Sequence, residues 1–153
     1  DISYYMNHTA TRGRIVCHDT SGSGAAMDQA LAVVATPTGG VTPTASVSGK
    51  KPAGLLLNDV VNNDLTRVHQ NWHKDETNLG GKVTLLRQGW VVTDLIVAGQ
   101  TPTAGQSAYF DANGYLTPTN PDTGSGTWPK SVGNFGSAKD ADGYAKVFIN
   151  ITG

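Results

Sequence analysis

The sequence has one cysteine, few charged residues and no long apolar run, and each shortage excludes a class of protein. Cys17 alone cannot form an intramolecular disulfide or a metal site built from several cysteines. Charged residues make up only 15% of the 153 residues, against roughly one quarter in ordinary globular proteins. No apolar segment approaches the roughly 20 residues that cross a bilayer, and the N-terminus lacks a secretion-signal pattern. We therefore expect a soluble, unexported protein.

The charges that are present are balanced. Eleven basic residues stand against 12 acidic ones, which gives a net charge of -1. A chain of this kind has no general electrostatic attraction for nucleic acid or for an anionic membrane. We expect neither as a partner, and any partner must be recognised through shape and local contacts.

The composition favours strands and turns. The chain has 19 glycines and many threonines and serines, which suit turns and strands more than long helices. We predict an all-β protein, a small β-sandwich or β-barrel-like domain with long Gly/Thr/Pro-rich loops and at most one short helix. Residues 1–14 are predicted to form an N-terminal arm, and residues 15–153 a single β domain.

Several segments are predicted to be strands. Ile15 to Cys17 is a short β-branched run that ends at a Ser/Gly turn. The run Leu55 to Val61 indicates a strand buried on both faces. Lys82 to Ile96, interrupted at Gly89, fits one long strand with a bulge or two strands at a corner. Ala25 to Val34 has helical propensity, but it lacks a helix stop signal and is predicted as a strand.

The pattern of the second half of the chain predicts β-hairpins. Asn113-Gly114 is a strong two-residue turn signal, and a turn around Asp140 to Gly143 separates two closing strands. The first residues of a calcium loop occur in this second turn, but the later ligand positions are apolar, so a polar hairpin turn is the preferred interpretation. Thr36 to Lys51 and Pro118 to Lys130 are predicted to be surface loops.

The N-terminus is too apolar for a solvated tail. Ile2, Tyr4, Tyr5 and Met6 supply apolar surface that should dock somewhere. One interpretation is a first strand of the same domain. The other is an arm that pairs with a neighbouring subunit by strand addition. The sequence does not choose between them.

The segment from Asp64 to Gly81 is polar and bears aromatic and basic side chains. The spacing of Leu65, Val68, His69 and Trp72 predicts a short helix or helical loop, with Asp64 as N-cap and Gly80-Gly81 as terminator. The flanking strands cannot bury the polar and aromatic members of the segment together. We expect a contact surface for another molecule that includes Arg67, His69, Trp72, His73 and Glu76.

The sequence offers no convincing reaction centre. Cys17 lies in an apolar strand and is predicted to be a core residue, no serine sits in a nucleophile elbow, and no phosphate-binding loop is present. His69 and His73, with Asp75 and Glu76 nearby, form the best metal candidate. Arg67 and Lys74 oppose a cation there, so we predict no enzyme activity, no cofactor and no metal.

The aromatic residues allow an alternative. Trp72, Trp90 and Trp128 with Tyr109, Tyr115 and Tyr144 could form a sugar-stacking platform. We favour core positions and cross-strand pairs for aromatics at strand positions. A glycan- or receptor-binding β module remains the alternative function.

Four segments together resemble a known family. They are DISYYMN followed by RGRIVCHDTSGSGAAMDQA, then KPAGLLLNDVVNNDLTRVHQNWHKDE, GKVTLLRQGWVVTDLI and GSAKDADGYAKVFIN. The chain resembles the head decoration, or cement, proteins of short-tailed double-stranded DNA bacteriophages. The resemblance implies a non-enzymatic all-β protein on the outer surface of an icosahedral capsid, where it bridges neighbouring major capsid protein subunits.

The implied partners are the major capsid protein and neighbouring copies of the chain, as a dimer or trimer on the virion. We hypothesise that residues 2 to 8 attach to a capsid subunit by strand addition or wedging, and that the polar insert completes the contact. The predicted contact residues are Ile2, Tyr4, Tyr5, Met6, His8, Arg67, His69, Trp72 and His73. Three alternatives stay open: a glycan- or receptor-binding β module of a phage tail or fibre, a self-assembling structural protein, and a metalloenzyme.

Overall fold

The computed structural model describes residues 4–6, 8–23, 32–35, 47, 50–67, 69, 72–121 and 131–151, and regular structure in these residues is almost entirely β-strand. The predicted all-β class is confirmed. One 3₁₀ turn, Trp72–Lys74, is the helical segment of the described part. The strands are β1 Tyr4–Met6, β2 Ile15–Ser23, β3 Ala32–Ala35, β4 Pro52–Leu56, β5 Asp59–Val61, β6 Glu76–Asn78, β7 Lys82–Val83, β8 Leu85–Leu86, β9 Gln88–Thr93, β10 Ser107–Phe110, β11 Leu116–Thr117, β12 Gly133–Phe135 and β13 Ala145–Asn150.

These strands form three sheets. Six strands follow the order β7-β1-β3-β2-β4-β8, five follow the order β11-β10-β12-β13-β9, and β5 pairs with β6 in parallel. Neighbours in the five-stranded sheet are all antiparallel, the pairing that short connections permit. In the six-stranded sheet β1 runs parallel to β3.

The six-stranded sheet is the middle layer of the molecule. Side chains alternate across a strand, and Ile15 and Leu55 pack in one apolar cluster with Phe110, Phe135 and other residues of the five-stranded sheet. Their chain neighbours Val16 and Leu56 join a second cluster on the opposite face. That second cluster includes Met6, Val60 and Val83. The five-stranded sheet therefore covers one face, and the β5–β6 pair covers the other.

The run Leu55 to Val61 forms two strands, where one was predicted. Leu55 and Leu56 are buried on opposite faces of β4, as predicted for that part of the run. The chain then turns at Asn58, whose side-chain oxygen accepts a hydrogen bond from the Thr84 amide (2.8 Å). Asp59–Val61 consequently leaves the middle layer and pairs with β6. A side chain that caps the turn, rather than any change in hydrophobicity, divides the run.

The segment from Lys82 to Ile96 crosses from one sheet to the other. β7 and β8 belong to the six-stranded sheet and β9 to the five-stranded sheet, so the predicted corner is present. Gly89 has a φ of +148° at this corner. A Cβ there would lie 3.2 Å from a Leu86 methyl carbon, which explains why glycine occupies the bend.

The N-terminal residues are a strand of the same domain. Tyr4–Met6 lies between β3 and β7, with backbone pairing on both sides. Met6 is completely buried. Of the two interpretations of the N-terminus, the structure shows the first. Strand addition of these residues to another subunit is therefore a wrong prediction for Tyr4 to Met6, because both backbone edges are already paired.

Of the predicted short helix or helical loop after Asp64, the described residues show no continuous helix from Asp64 to Trp72. Residues 65–67 form a turn, and the 3₁₀ turn at Trp72–Lys74 begins later. Gly80 and Gly81, the predicted helix terminator, have another function. The Gly80 amide donates to the Met6 carbonyl (2.8 Å), and the Met6 amide donates to the Gly81 carbonyl (3.3 Å). These hydrogen bonds to β1 replace the helix termination that the glycines were expected to provide.

Both predicted hairpins are confirmed. β10 pairs with β11 and β12 with β13, all antiparallel. The first turn is longer than the two residues predicted, because the Asp111 amide donates to the Tyr115 carbonyl (2.9 Å). Gly114 adopts a left-handed φ of +81°, as in hairpin loops that combine a type I turn with one left-handed residue.

The two predicted surface loops lie mainly outside the described residues, as do residues 25–31 of the predicted Ala25 to Val34 strand. Val47 departs from the surface-loop prediction, since it is buried in the cluster with Ile15 and Leu55. The described part of Ala25 to Val34 falls in β3. β2 continues to Ser23, well past the predicted end at Cys17. Among the described residues no helix is long and apolar enough to cross a membrane.

Candidate functional site

The polar insert and the N-terminal segment lie side by side. The Ala10 amide donates to the Val60 carbonyl (3.1 Å), and the Val60 amide donates to the Ala10 carbonyl (2.8 Å). The Arg12 amide donates to Asp59 Oδ1 (2.7 Å). Residues 8–14, strands β5 and β6 and the described residues of their connection (62–67, 69 and 72–75) therefore share one outer layer, which we call the β5–β6 surface.

A shallow cleft of about 420 Å³ opens on the β5–β6 surface. Thr9 to Thr11 and Arg14 line one side, and residues 59–61 with Glu76 line the other. Arg14 is held in place by two side chains, because its Nε donates to Thr11 Oγ1 (3.1 Å) and its guanidinium lies 5.0 Å from the centre of the Tyr115 ring. The cleft is polar, and it suits protein contacts better than the enclosed binding of an apolar small molecule.

Asp75 fixes the end of the insert. It is the non-glycine residue with a positive φ (+53°) in the described chain, a conformation that Asp tolerates better than most residues. Its carbonyl accepts hydrogen bonds from the Asp59 amide (3.2 Å) and from Asn58 Nδ2 (3.4 Å). Its carboxylate lies 3.7 Å from Arg12 Nη1. These contacts join the C-terminal end of the connection to the start of β5 and to the N-terminal segment.

Asp64 organises the start of the insert. Its Oδ1 accepts hydrogen bonds from the Thr66 amide (3.0 Å) and the Thr66 hydroxyl (2.6 Å). These two bonds lower the pKa of the Asp64 carboxyl below its usual range. Arg67 Nε lies 3.6 Å from Asp64 Oδ2, with 84% of the Arg67 side chain exposed. The predicted capping function of Asp64 is thus present, but it caps a turn where a helix was expected.

The predicted contact residues differ in their accessibility. Arg67, His69 and His73 are exposed, and Tyr4, Tyr5 and His8 are partly buried. Trp72 begins the 3₁₀ turn, and Ile2 lies outside the described residues. Met6 differs from the other predicted contact residues, because its side chain is fully buried and packs with Val60 and Val83.

The geometry that suggested a metal site is absent. His69 and His73 do not share an α-helix, because the 3₁₀ turn starts only at Trp72. In the described ranges no three His, Cys, Asp or Glu side chains are grouped so that they could hold an ion. The metalloenzyme alternative gains no support from this arrangement.

Cys17 is a core residue, as predicted. It is buried between the middle and five-stranded layers. Burial raises the pKa of its thiol to about 12. A thiol that stays protonated at neutral pH is a poor nucleophile, so Cys17 contributes packing and no reactive group.

The sequence interpretation missed an exposed apolar face on the five-stranded sheet. Trp90 and Val92 are 60% and 62% exposed on β9. The Trp90 ring lies 5.1 Å from the Phe148 ring and 5.5 Å from Lys146 Nζ. Trp90 therefore forms a cross-strand pair with Phe148, as predicted for aromatic residues at strand positions. Its side chain lies on the solvent-exposed face of the sheet. The alternation of Gln88, Trp90 and Val92 on one face was the available signal.

Trp128, which the glycan-binding alternative depends on most, lies outside the described residues. The aromatic contacts of the described residues lie in more than one part of the molecule. Trp90 and Phe148 share a face of the five-stranded sheet, while Tyr115 contacts Arg14 near the N-terminal segment.

Comparison with known proteins identifies the family. The sequence profile of the family described as "Structural cement protein (E217 gp24/Pam3 gp6)", a phage cement family, matches residues 1–150. The chain belongs to this phage cement family. No curated protein matches it at a significant level. As a structural cement protein, the chain is a component of a phage capsid, and the resemblance that the four sequence segments suggested is confirmed.

Proposed function

We propose that this cement protein binds the outer surface of an icosahedral phage head and bridges neighbouring major capsid protein subunits. The family match over residues 1–150 carries the proposal. The balanced charge and the buried, protonated Cys17 are consistent with a structural function. Bridging would stabilise the head by joining subunits that otherwise contact each other only within the shell.

The β5–β6 surface is the proposed contact with the capsid. It presents Arg67, His69 and His73 to solvent, and Arg is among the residues that most often dominate binding energy at protein interfaces. Trp72 lies in the same connection. Tyr4, Tyr5 and His8 extend the contact as wedging side chains, since the backbone of β1 has no open edge for strand addition.

Hydrogen bonds and an ion pair support the two ends of the connection. Asp64 caps the first turn of the connection, and Asp75 with Arg12 and Asp59 holds its other end. A preorganised loop loses less conformational entropy on binding. Each copy also needs only moderate affinity for the capsid, because contacts repeated over the capsid lattice add avidity.

Co-sedimentation with expanded heads that lack the protein tests this proposal. We expect saturable binding at a fixed number of copies per head. The double variant Arg67→Ala/His69→Ala should raise the apparent Kd about tenfold or more, a loss typical of interface hot spots. Asp142→Ala, an exposed change in the β12–β13 hairpin, is the matched control and should bind normally.

Two outcomes would contradict the proposal. A folded protein that does not bind intact matching heads would remove the capsid function, and retention on polysaccharide would then favour a receptor-binding module. Full binding by Arg67→Ala/His69→Ala would show that the contact lies elsewhere on the molecule.

A further inference from the structure

The five-stranded sheet has an unpaired edge at β9. In the described chain β9 pairs with β13 alone, in continuous register from Gln88 to Thr93. Proteins usually protect such an edge with charged side chains, proline or a bulge. Residues 88–93 include no charge and no proline, and their pairing with β13 has no register shift. The edge is therefore open to a further strand.

Hydrogen bonds one strand further into the sheet show which way the residues of β13 face. Alternate residues of an antiparallel strand bond to opposite neighbours. The Gly136 amide donates to the Lys146 carbonyl (2.6 Å), and the Asn150 amide donates to the Val132 carbonyl (2.8 Å). Lys146 and Asn150 therefore bond to β12. Val147, the residue after Lys146, consequently bonds to β9.

The orientation of β9 follows from that of β13. Val147 pairs with Val91, so the backbone groups of Val91 point toward β13. Those of Trp90 and Val92 point out of the sheet, and no second strand of the described part pairs with them. Each of these two residues carries one amide donor and one carbonyl acceptor. The group that fits such a row is the backbone of another extended chain.

An apolar cleft of about 240 Å³ lies beside the same edge. Residues 91–95 line one side, and Leu55 to Leu57 with Arg12 line the other. Leu57 is 39% exposed, so the leucine side is accessible from outside. Neighbouring strands lie about 4.8 Å apart, so a strand added to β9 would run along this cleft. Its side chains on the inner face would contact the leucines.

An open strand edge and an adjoining cleft occur together in proteins that bind peptides by strand addition. In that mode backbone hydrogen bonds supply affinity, and pockets for alternate side chains supply specificity. The outward groups of Trp90 and Val92 provide the first, and the cleft provides the second. A ligand without a peptide backbone would leave the outward groups unpaired.

Charge adds a preference at one end of the cleft. Asp94 lines the cleft and is exposed, and its carboxylate forms no hydrogen bond or ion pair within the described residues. The guanidinium of Arg12, by contrast, lies 3.7 Å from the Asp75 carboxylate. The open charge at the cleft is therefore negative, and a basic side chain complements it.

The cleft is also continuous with the β5–β6 surface. Arg12 belongs to that surface and lines the cleft. Its ion pair with Asp75 joins it to the connection between β5 and β6. A capsid subunit bound at the β5–β6 surface can therefore extend a segment of its chain directly into the cleft.

We propose that the β9 edge and the cleft bind an extended segment of the major capsid protein, which adds to the five-stranded sheet as a strand beside β9. Trp90 and Val92 form backbone hydrogen bonds with this segment. An aliphatic side chain of the segment fills the cleft, and a basic side chain lies beside Asp94. The inference rests on the proposed function, and it names the part of the capsid subunit that the cement protein recognises.

A proline substitution tests the outward backbone groups. Val92→Pro removes an amide donor that points out of the sheet, a position where edge strands tolerate proline, and it leaves the pairing with β13 in place. In co-sedimentation with expanded heads that lack the protein, the apparent Kd should rise about tenfold or more, because a hydrogen bond is lost and the ring keeps a partner strand away. Urea unfolding verifies that the variant is folded.

A change in the cleft tests the site without altering β9. Leu57→Lys places an ammonium group among apolar side chains and should also raise the apparent Kd about tenfold. Ala98 provides both matched controls, because it is exposed in the Val97 to Gln100 turn and does not line the cleft. Ala98→Pro, at a turn position that favours proline, and Ala98→Lys should both bind heads as the wild type does.

Hydrogen exchange locates the contact directly. The Trp90 and Val92 amides should exchange rapidly in the free protein and at least about tenfold more slowly in the head-bound protein, because they become hydrogen-bonded to the added strand. The Val91 amide, which is already paired with β13, is the internal reference. A contact confined to the β5–β6 surface would leave the Trp90 and Val92 amides unprotected.

Several results would overturn the strand addition. Wild-type head binding that is equally strong in folded Val92→Pro and Leu57→Lys, or that leaves the Trp90 and Val92 amides unprotected, would remove this site and leave the proposed function intact. Protection of the two amides that rises with the concentration of free protein would show that a second copy occupies the edge. A wild-type protein that does not bind heads would remove both proposals.

Discussion

At the residue scale, the same five-residue turn is found at two places in the chain. Asp111 to Tyr115 and Asp140 to Tyr144 both follow the pattern Asp-Ala-Asn/Asp-Gly-Tyr. In each, the aspartate Oδ1 accepts hydrogen bonds from the amides two and four residues later, at 2.8 to 3.1 Å. Each glycine has a φ between +80° and +90°. The two turns thus share one local structure in two different surroundings.

The glycines of these turns should respond differently to alanine. A Cβ on Gly114 would overlap the Ile15 carbonyl oxygen, whereas a Cβ on Gly143 would meet nothing within 4 Å. Gly143→Ala should therefore cost about 1 kcal/mol, the cost of the left-handed conformation alone. Gly114→Ala should cost roughly 2–4 kcal/mol, because the overlap adds to it. Urea unfolding of both variants measures the difference, and equal losses would contradict the packing of this turn against β2.

Cys17 should make stability fall at alkaline pH. Its folded pKa of about 12 exceeds the ordinary value of 9.0, so above pH 9 the unfolded chain releases a proton that the folded chain retains. The stabilising contribution is complete below pH 9 and is lost as pH rises toward 12, by up to about 1.4 kcal/mol per pH unit. Urea unfolding from pH 8 to 10.5 should show a shallower pH dependence in Cys17→Ala. Parallel curves would contradict the buried thiol.

β1 is the element whose position matters most for the interface. Met6 is buried in the cluster beneath the β5–β6 pair, and Tyr4 packs against the same cluster with its ring 5.8 Å from the His18 ring. An unpaired arm would leave Met6 without a packing function. A strand in the middle layer makes it part of the core.

Met6→Ala should consequently destabilise the protein by roughly 2–5 kcal/mol, the usual range for a fully buried large side chain. Tyr5→Ala is the control within the same strand, and its partly buried side chain should cost less. Thermal or urea unfolding compares the two. A Met6→Ala variant as stable as the wild type would favour the arm interpretation over the strand.

Sequence patterns predicted the elements that depend on near neighbours. The Ile15–Cys17 strand, the two-sided burial of Leu55 and Leu56 and both hairpins follow from side-chain alternation and turn residues. The parallel pairing of β1 with β3 joins distant segments, and no local pattern encodes it. The spacing after Asp64 gives no continuous helix in the described residues, because apolar spacing over two turns is weak evidence when tertiary hydrogen bonds hold the ends of the segment.

The candidate site was predicted only in part. Arg67, His69 and His73 are exposed, as a polar insert between apolar strands implied. Met6 could not be separated from Tyr4 and Tyr5, because which face of a strand is buried depends on the layer packed against it. The open edge at β9 was missed for the same reason, since strand order within a sheet is a property of the complete fold.

At the scale of the whole molecule, the sheets form three layers, and the two outer layers present separate surfaces. The β5–β6 surface covers one face of the middle sheet, and the five-stranded sheet with Trp90 and Val92 covers the other. A protein with this arrangement could hold the capsid through the β5–β6 surface while the five-stranded sheet lies on the opposite side of the molecule.

Thermal DNA release from expanded, filled heads tests the central claim, that this cement protein stabilises the shell. Heads lacking the protein would be heated with increasing amounts of it, and released DNA would be followed with a dye that the shell excludes. We expect the release temperature to rise and to reach a plateau when the binding sites are full, with a smaller rise for Arg67→Ala/His69→Ala. Bound protein that leaves the release temperature unchanged would contradict the account.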